Sequence, residues 1–150
     1  IAAVRLLPSL HHYALDAPEV DDAMAAARAE GVPVNLTARI FDDRVAPQYV
    51  QQRVSDPEQV TAFLMRHSEV KIALSMFYFS EIRTLNIDWH ALPNVYVDFG
   101  CSKPNVASLD VLERAFPIGR ALFGTGAPFY YWAGSRLGLE AAELSAESKR

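Results

Sequence analysis

Two guanidiniums and two carboxylates fall in one short stretch: Arg39, Asp42, Asp43 and Arg44. Grouped after a strand, they can clamp a carboxylate-bearing substrate while a carboxylate moves a proton. They can equally satisfy one another as a salt-bridge cluster on a loop. Asp98 is a different candidate, set between Val97 and Phe99. A carboxylate inside an apolar strand needs a partner, so it is either a site residue or one held by a neighbouring basic group. His11 and His12, flanked by Ser9 and Tyr13, offer proton transfer or metal ligation. In extended chain, adjacent histidines point to opposite sides, so at most one faces a shared pocket. A solvated loop pair is the plainer reading. His67 falls on a helix face, where packing is its natural role, and His90 carries no functional weight. Cys101 stands two residues before Lys103. A nearby cation can lower a thiol pKa, but no histidine is close in sequence, so a passive cysteine is the simpler assignment. The segment Phe129-Tyr130-Tyr131-Trp132 can wall a pocket or serve as ordinary packing surface. No phosphate-cradling loop, GxGxxG turn or Cys-rich zinc spacing occurs, and Gly124-Thr125-Gly126 is too short for a dinucleotide turn.

The elements that must position these side chains alternate along the chain. Apolar, β-branched runs at 2–7, 32–41, 70–79, 95–99 and 121–123 predict strands. The third is so apolar that it reads as covered on both faces. Between the runs lie helical patterns. Pro18 opens the first of these, Val20, Ala23, Met24 and Ala27 form its apolar face, and Gly31 stands where a helix ends. The second has Ser55 and Glu58 at capping-box spacing, with Val60, Phe63, Leu64 and His67 on one face. A short helix is expected over 80–85. Another is capped by Ser108 and uses Leu109, Leu112, Ala115 and Phe116, and a last one covers about 134–142. The stretch 8–16 reads as loop. Strands separated by helices are parallel, because a parallel crossover needs a dozen or more residues. Two α/β architectures fit: a complete five-stranded doubly wound sheet, or part of a (β/α)8 barrel. Both put functional residues at the carboxyl ends of the strands.

The chain has 150 residues, enough for one domain, with 51 % hydrophobic and 21 % charged residues and a net charge of −4. That acidic balance argues against a nucleic-acid partner, which usually meets a basic stripe. No apolar run approaches the length of a membrane span. A single cysteine makes no internal disulfide, which leaves a cytoplasmic location as the default. Both ends read as cut: the chain opens at Ile1 on an apolar run, and Ser145 is a good cap for a helix barely begun at Arg150.

Four stretches carry a resemblance to a known family: Val4-Arg5-Leu6-Leu7-Pro8, Gly31-Val32-Pro33-Val34, Leu92-Pro93-Asn94-Val95-Tyr96-Val97-Asp98, and Ala121-Leu122-Phe123-Gly124-Thr125 with Ala127-Pro128-Phe129. In order and content they resemble the amidohydrolase-related family, metal-dependent hydrolases of TIM-barrel fold whose relatives include decarboxylases of aromatic carboxylic acids. The resemblance implies that the strands here are about the fourth to eighth of a (β/α)8 barrel. The first three, with the family's His-x-His, would precede Ile1. It also implies departures. Where the family has a metal-binding histidine after the fifth strand, this chain has Thr37. At the sixth-strand histidine it has Met76, and at the eighth-strand aspartate Gly126. Thr37 is a poor ligand, Met76 a soft thioether and Gly126 has no side chain, so the usual metal mechanism is not expected. The expectation is a hydrolase or decarboxylase-like protein acting on a small carboxylic or amide substrate. His11, His12, Asp42, Asp43 and Asp98 are its candidate proton-transfer residues, and Arg39, Arg44, Met76 and Tyr130 its candidate binding residues. No metal ligand and no cofactor is assigned, unless residues before Ile1 supply a divalent-metal site. The alternative is an inactive barrel homologue that binds or scaffolds. Five barrel strands leave two open edges, so an N-terminal half or a second copy of the chain is the expected partner.

Overall fold

Each strand alternates in and out, and the alternation decides the architecture. The computed structural model describes residues 2–42, 44, 46–100, 109, 113–114, 116–128 and 130–149. The strands are β1 (Val4–Leu6), β2 (Val34–Thr37), β3 (Ile72–Ser75), β4 (Val95–Asp98) and β5 (Ala121–Leu122). They form one five-stranded sheet in the order β1-β2-β3-β4-β5, and every neighbouring pair is parallel. A doubly wound sheet needs a reversal in strand order to put helices on both faces. Here the order is sequential, so right-handed crossovers bring every connection to the same side. The result is a partial (β/α)8 barrel, a curved wall with helices outside.

The helices that lie wholly within the described residues are α1 (Pro8–His11), α2 (Pro18–Ala29), α3 (Pro57–Arg66), α4 (Phe79–Thr84) and α5 (Trp132–Ala141). A 3-10 turn, Ile118–Arg120, leads into β5. Val20, Met24 and Ala27 of α2 and Val60, Phe63 and Leu64 of α3 are buried. They meet the outward side chains of the strands, Leu6, Val34, Leu36, Ile72, Leu74, Val95 and Val97, in one contiguous core. Arg120 ties the amino-terminal side of the sheet together, donating to the carbonyls of Trp89, Leu92 and Val95.

Local expectations are corrected at several places. The loop expected over 8–16 begins with the helical turn α1, closed by His12 at φ 56°. The Ser55–Glu58 capping box does not form, because Pro57 takes the first helical position and makes Asp56 the extended cap residue. The apolar run 70–79 is only partly strand. Ile72 and Leu74 face the helices, Ala73 and Ser75 face the other way, and Val70 and Phe77 are buried outside the strand. The helix expected from Ser108 falls largely outside the described residues, as do Leu112 and Ala115, while Leu109 and Phe116 are buried. At the end of the chain Ser145 caps a single turn, its Oγ accepting from Ser148 N at 3.0 Å.

Candidate functional site

The sheet face turned away from the helices is polar. The registers Arg5↔Asn35, Asn35↔Ala73, Thr37↔Ser75 and Ala73↔Tyr96 put these residues on one side, and two-residue alternation adds Asp98 to it. At the carboxyl ends of the strands this face opens into a cavity of about 210 Å³. It is lined by Arg5, Leu7, Thr37, Arg39, Ile40, Ser75, Met76, Asp98, Thr125, Gly126 and Ala127.

A directional chain of hydrogen bonds crosses the wall of this cavity. Thr37 Oγ1 donates to Asn35 Oδ1 at 2.7 Å, Asn35 Nδ2 donates to Ser75 Oγ at 2.8 Å, and Ser75 Oγ donates to Asp98 Oδ2 at 3.1 Å. The other carboxylate oxygen, Asp98 Oδ1, accepts from Gly100 N at 2.7 Å. Every donor in the chain points toward Asp98. Thr37 and Ser75 have each spent their one proton, so both keep only acceptor capacity.

Glycines make room for that carboxylate. A Cβ on Gly124 would fall 1.5 Å from Asp98 Oδ1, and one on Gly100 would fall 2.7 Å from the carbonyl carbon of Gly124. Gly126, at φ +63°, lies against the ring of Tyr130, where a Cβ would come within 2.7 Å of Cδ2. The ends of β4 and β5 thus close over Asp98 with backbone alone.

The opposite wall is held by a buried cation. Arg39 is 1 % exposed. Its guanidinium grips the Glu81 carboxylate through both terminal nitrogens and donates to the Met76 carbonyl at 2.9 Å. Tyr78 lies beneath it, with the guanidinium carbon 3.7 Å from the ring centroid. Glu81 also accepts from Tyr78 N at 2.7 Å. This network fixes Met76 at φ 60°, a left-handed conformation costing a non-glycine residue about 1–2 kcal/mol.

The sequence candidates are distributed unevenly around this geometry. Asp98, Arg39 and Met76 line the cavity, with Thr37 and Gly126. Asp42 and Arg44 pair with each other: Asp42 accepts from Arg44 N, Nε and Nη2 at 3.0, 3.1 and 2.8 Å. The Asp42 carboxylate holds the Arg44 guanidinium charged beyond its ordinary range. Gln52 clips the same loop, accepting from Ile40 N and Phe41 N. His11 and His12 are exposed on and just after α1 and do not line the cavity. Tyr130 backs Gly126, whereas Tyr131 and Trp132 are exposed, at 92 % and 56 %. His67 caps α3 beside Asp21, its ring 4.9 Å from that of Phe63, and exposed His90 donates its backbone N–H to Asp88. Asp43, Cys101, Lys103 and Phe129 lie outside the described residues. Sequence reasoning missed Arg5, Asn35 and Ser75. Their signal was alternation, since each polar side chain sits between apolar neighbours in a strand, as Asp98 does.

The donor set that the described residues bring to the cavity does not by itself suit a zinc-type centre. Among the described residues, the charged groups on the cavity are one carboxylate, Asp98, and two guanidiniums, Arg5 and Arg39. A divalent ion of that type wants three or more nitrogen, sulfur or carboxylate ligands. Among the described residues no cluster of three His, Cys, Asp or Glu side chains could hold one. Nor, among them, is any helix long and apolar enough to cross a membrane.

No family model matches the chain, and a search of curated proteins found no match. Solved structures do match. An uncharacterized TIM-barrel protein from Bordetella bronchiseptica is similar over 99 % of this chain, with a TM-score of 0.75 and 17 % identity. A candidate amidohydrolase from Staphylococcus aureus aligns over 97 % of the chain, with TM-score 0.59 and 11 % identity. A 2,6-dihydroxybenzoate decarboxylase, solved with 2,6-dihydroxybenzoate, aligns over 91 %, with TM-score 0.58 and 13 % identity. The chain spans 52 %, 59 % and 52 % of their respective lengths, about half of each. At these identities the likeness is one of fold.

Proposed function

We propose that this chain is the carboxyl-terminal portion, about strands four to eight, of an amidohydrolase-like barrel enzyme. It acts on a small carboxylic or amide substrate without the usual divalent-metal centre. One observation carries the reading: Thr37, Met76 and Gly126, which stand where the family resemblance puts two histidines and an aspartate, line a single cavity with Asp98. Asp98 is the group that takes a proton there, from an attacking water in hydrolysis or from a substrate O–H in decarboxylation. Ser75 and Gly100 N orient its carboxylate, and Gly124 leaves it room. Met76 and the Tyr130-backed Gly126 loop wall the substrate. Arg39 is a positioning residue, fixing Met76 through Glu81 and the Met76 carbonyl. The Asp42–Arg44 pair shapes the adjoining loop. His11 and His12 stand apart from this chemistry.

The test is a turnover screen on the full-length protein, purified without chelators, with elemental analysis of the same sample. Aromatic hydroxy acids come first, because the decarboxylase neighbour was solved with one. Small amides follow. Turnover without stoichiometric metal is expected, with Asp98→Asn reducing kcat about 100-fold or more. One equivalent of bound metal required for activity would contradict the reading. Ligand binding with no turnover of any class would favour a non-catalytic binding subunit instead.

A further inference from the structure

Among the described residues the cavity holds two cations, Arg5 and Arg39, and they are in opposite situations. Arg39 is buried and committed to Glu81 and Met76. Arg5 stands on the open face of β1, lines the same cavity, and has no hydrogen-bond or ion-pair partner among the described residues. Its neighbours across the register are Asn35 and, beyond it, Ala73, neither of which carries charge. A guanidinium with its planar fork unspent at the edge of a cavity is suited to bidentate recognition of a carboxylate.

The hydrogen-bonded wall of the cavity is polarised the other way. The chain from Thr37 through Asn35 and Ser75 to Asp98 runs its donors in one direction only. It therefore offers an incoming molecule acceptor sites on Thr37 and Asp98 and no spare hydroxyl proton. Leu7, Ile40 and Met76 supply apolar wall between these poles. At about 210 Å³ the space is below the range typical of drug-sized ligands, so it fits a small molecule or one end of a larger one.

We infer that Arg5 is the anion anchor of this cavity, and that the site takes a small monocarboxylate with its charged end on Arg5. A hydroxyl or amide N–H of that ligand faces the acceptors on Asp98 and Thr37. The inference deepens the proposed function and rests on it for the location of the site, but it concerns binding alone. Orientation follows from it: the carboxylate lies away from Asp98, which repels it, and the donor group is the one presented to the proton acceptor. Arg5 is a specificity-determining residue in this account, and Arg39 is not.

Three probes separate the two requirements: mandelate (carboxylate and hydroxyl), phenylacetate (carboxylate only) and mandelamide (hydroxyl, no charge). Equilibrium binding to the full-length protein is expected to favour mandelate over each of the others by about tenfold or more, the size of one charge-assisted or well-placed hydrogen bond. Arg5→Gln should abolish the preference for mandelate over mandelamide, while Arg5→Lys retains part of it. Arg5 is exposed in this chain and belongs to no core cluster among the described residues, and a variant that loses the preference while melting like the parent protein reports on the site and not on folding. Thr37→Val should narrow the gap between mandelate and phenylacetate, and Thr37→Ser should restore it. Equal binding of mandelate and mandelamide, an anion preference that survives Arg5→Gln, or failure of all three probes to bind would each overturn the inference. Anion preference without turnover would sink the enzymatic reading alone. Turnover of a neutral amide with no anion preference would sink the anchor alone.

Discussion

On one face of the sheet Val34, Leu36, Ile72, Leu74, Val95 and Val97 are all at most 3 % exposed and meet helix side chains. On the other, strands β1 to β4 present Arg5, Asn35, Thr37, Ser75 and Asp98 to a cavity or to one another. Alternate residues of one strand thus answer to different physics. The helix side is held by removing apolar surface from water. On the cavity side Thr37 and Ser75 are just as buried, but their hydroxyls are held by hydrogen bonds that aim groups, each adding only about 1 kcal/mol net. Stability and recognition are therefore separable within a single β-strand, residue by residue.

The largest expected effect lies on the helix side. Phe63→Ala, at a fully buried position, should cost about 3–5 kcal/mol in a denaturant melt, whereas Arg5→Gln on the cavity side should stay within about 0.5 kcal/mol. Comparable losses from both would break the comparison. Next comes a buried charge that bridges the two regimes, Arg39. Arg39→Ala removes the partner of Glu81 and the support of the Met76 carbonyl, and a loss of about 3 kcal/mol is expected. Arg39→Lys should recover little of it, because an ammonium cannot reproduce the fork or lie flat on Tyr78.

A smaller stability change with a sharper site effect is expected from Gly124→Ala. The added methyl collides with Asp98 Oδ1 and should cost about 1–3 kcal/mol while displacing the carboxylate. Ligand binding lost at temperatures where the variant remains folded would be the signature, and unimpaired binding would contradict the role given to the glycine loop. The smallest effect is a pH dependence far from the cavity. Burial, reinforced by Arg66, pulls the His67 pKa below its ordinary 6.5 against the opposing pull of Asp21. The unfolded chain then binds more protons, so this contribution is complete above pH 6.5 and is lost as pH falls through the folded value. Urea melts on either side of that value should show it, and His67→Gln should remove that share alone.

How much of this was legible in the sequence follows the same division. Apolar periodicity located the five described strands and the faces of α2 and α3, because burial on the helix side leaves a strong hydrophobic pattern. It overran β3, since Val70 and Phe77 are buried in loops and mimic strand. It missed α1, a single turn too short to show a period. On the cavity side Asp98 was visible as a charge inside an apolar strand. Arg5 and Asn35 obey that same rule, but one polar residue in a short strand is a weaker signal than the dense charges of 39–44, a loop where Asp42 and Arg44 pair with each other. The commitment of Arg39 to Glu81 could not be read at all, since the pair is separated by 42 residues and is joined only by folding.

The most direct test of the central claim is a crystal structure of the full-length protein with mandelate bound. The carboxylate is expected against the Arg5 guanidinium and the hydroxyl toward Asp98 and Thr37, with Arg39 still on Glu81. A carboxylate held at the Asp98 end through a metal ion, or a ligand seated outside this cavity, would contradict it.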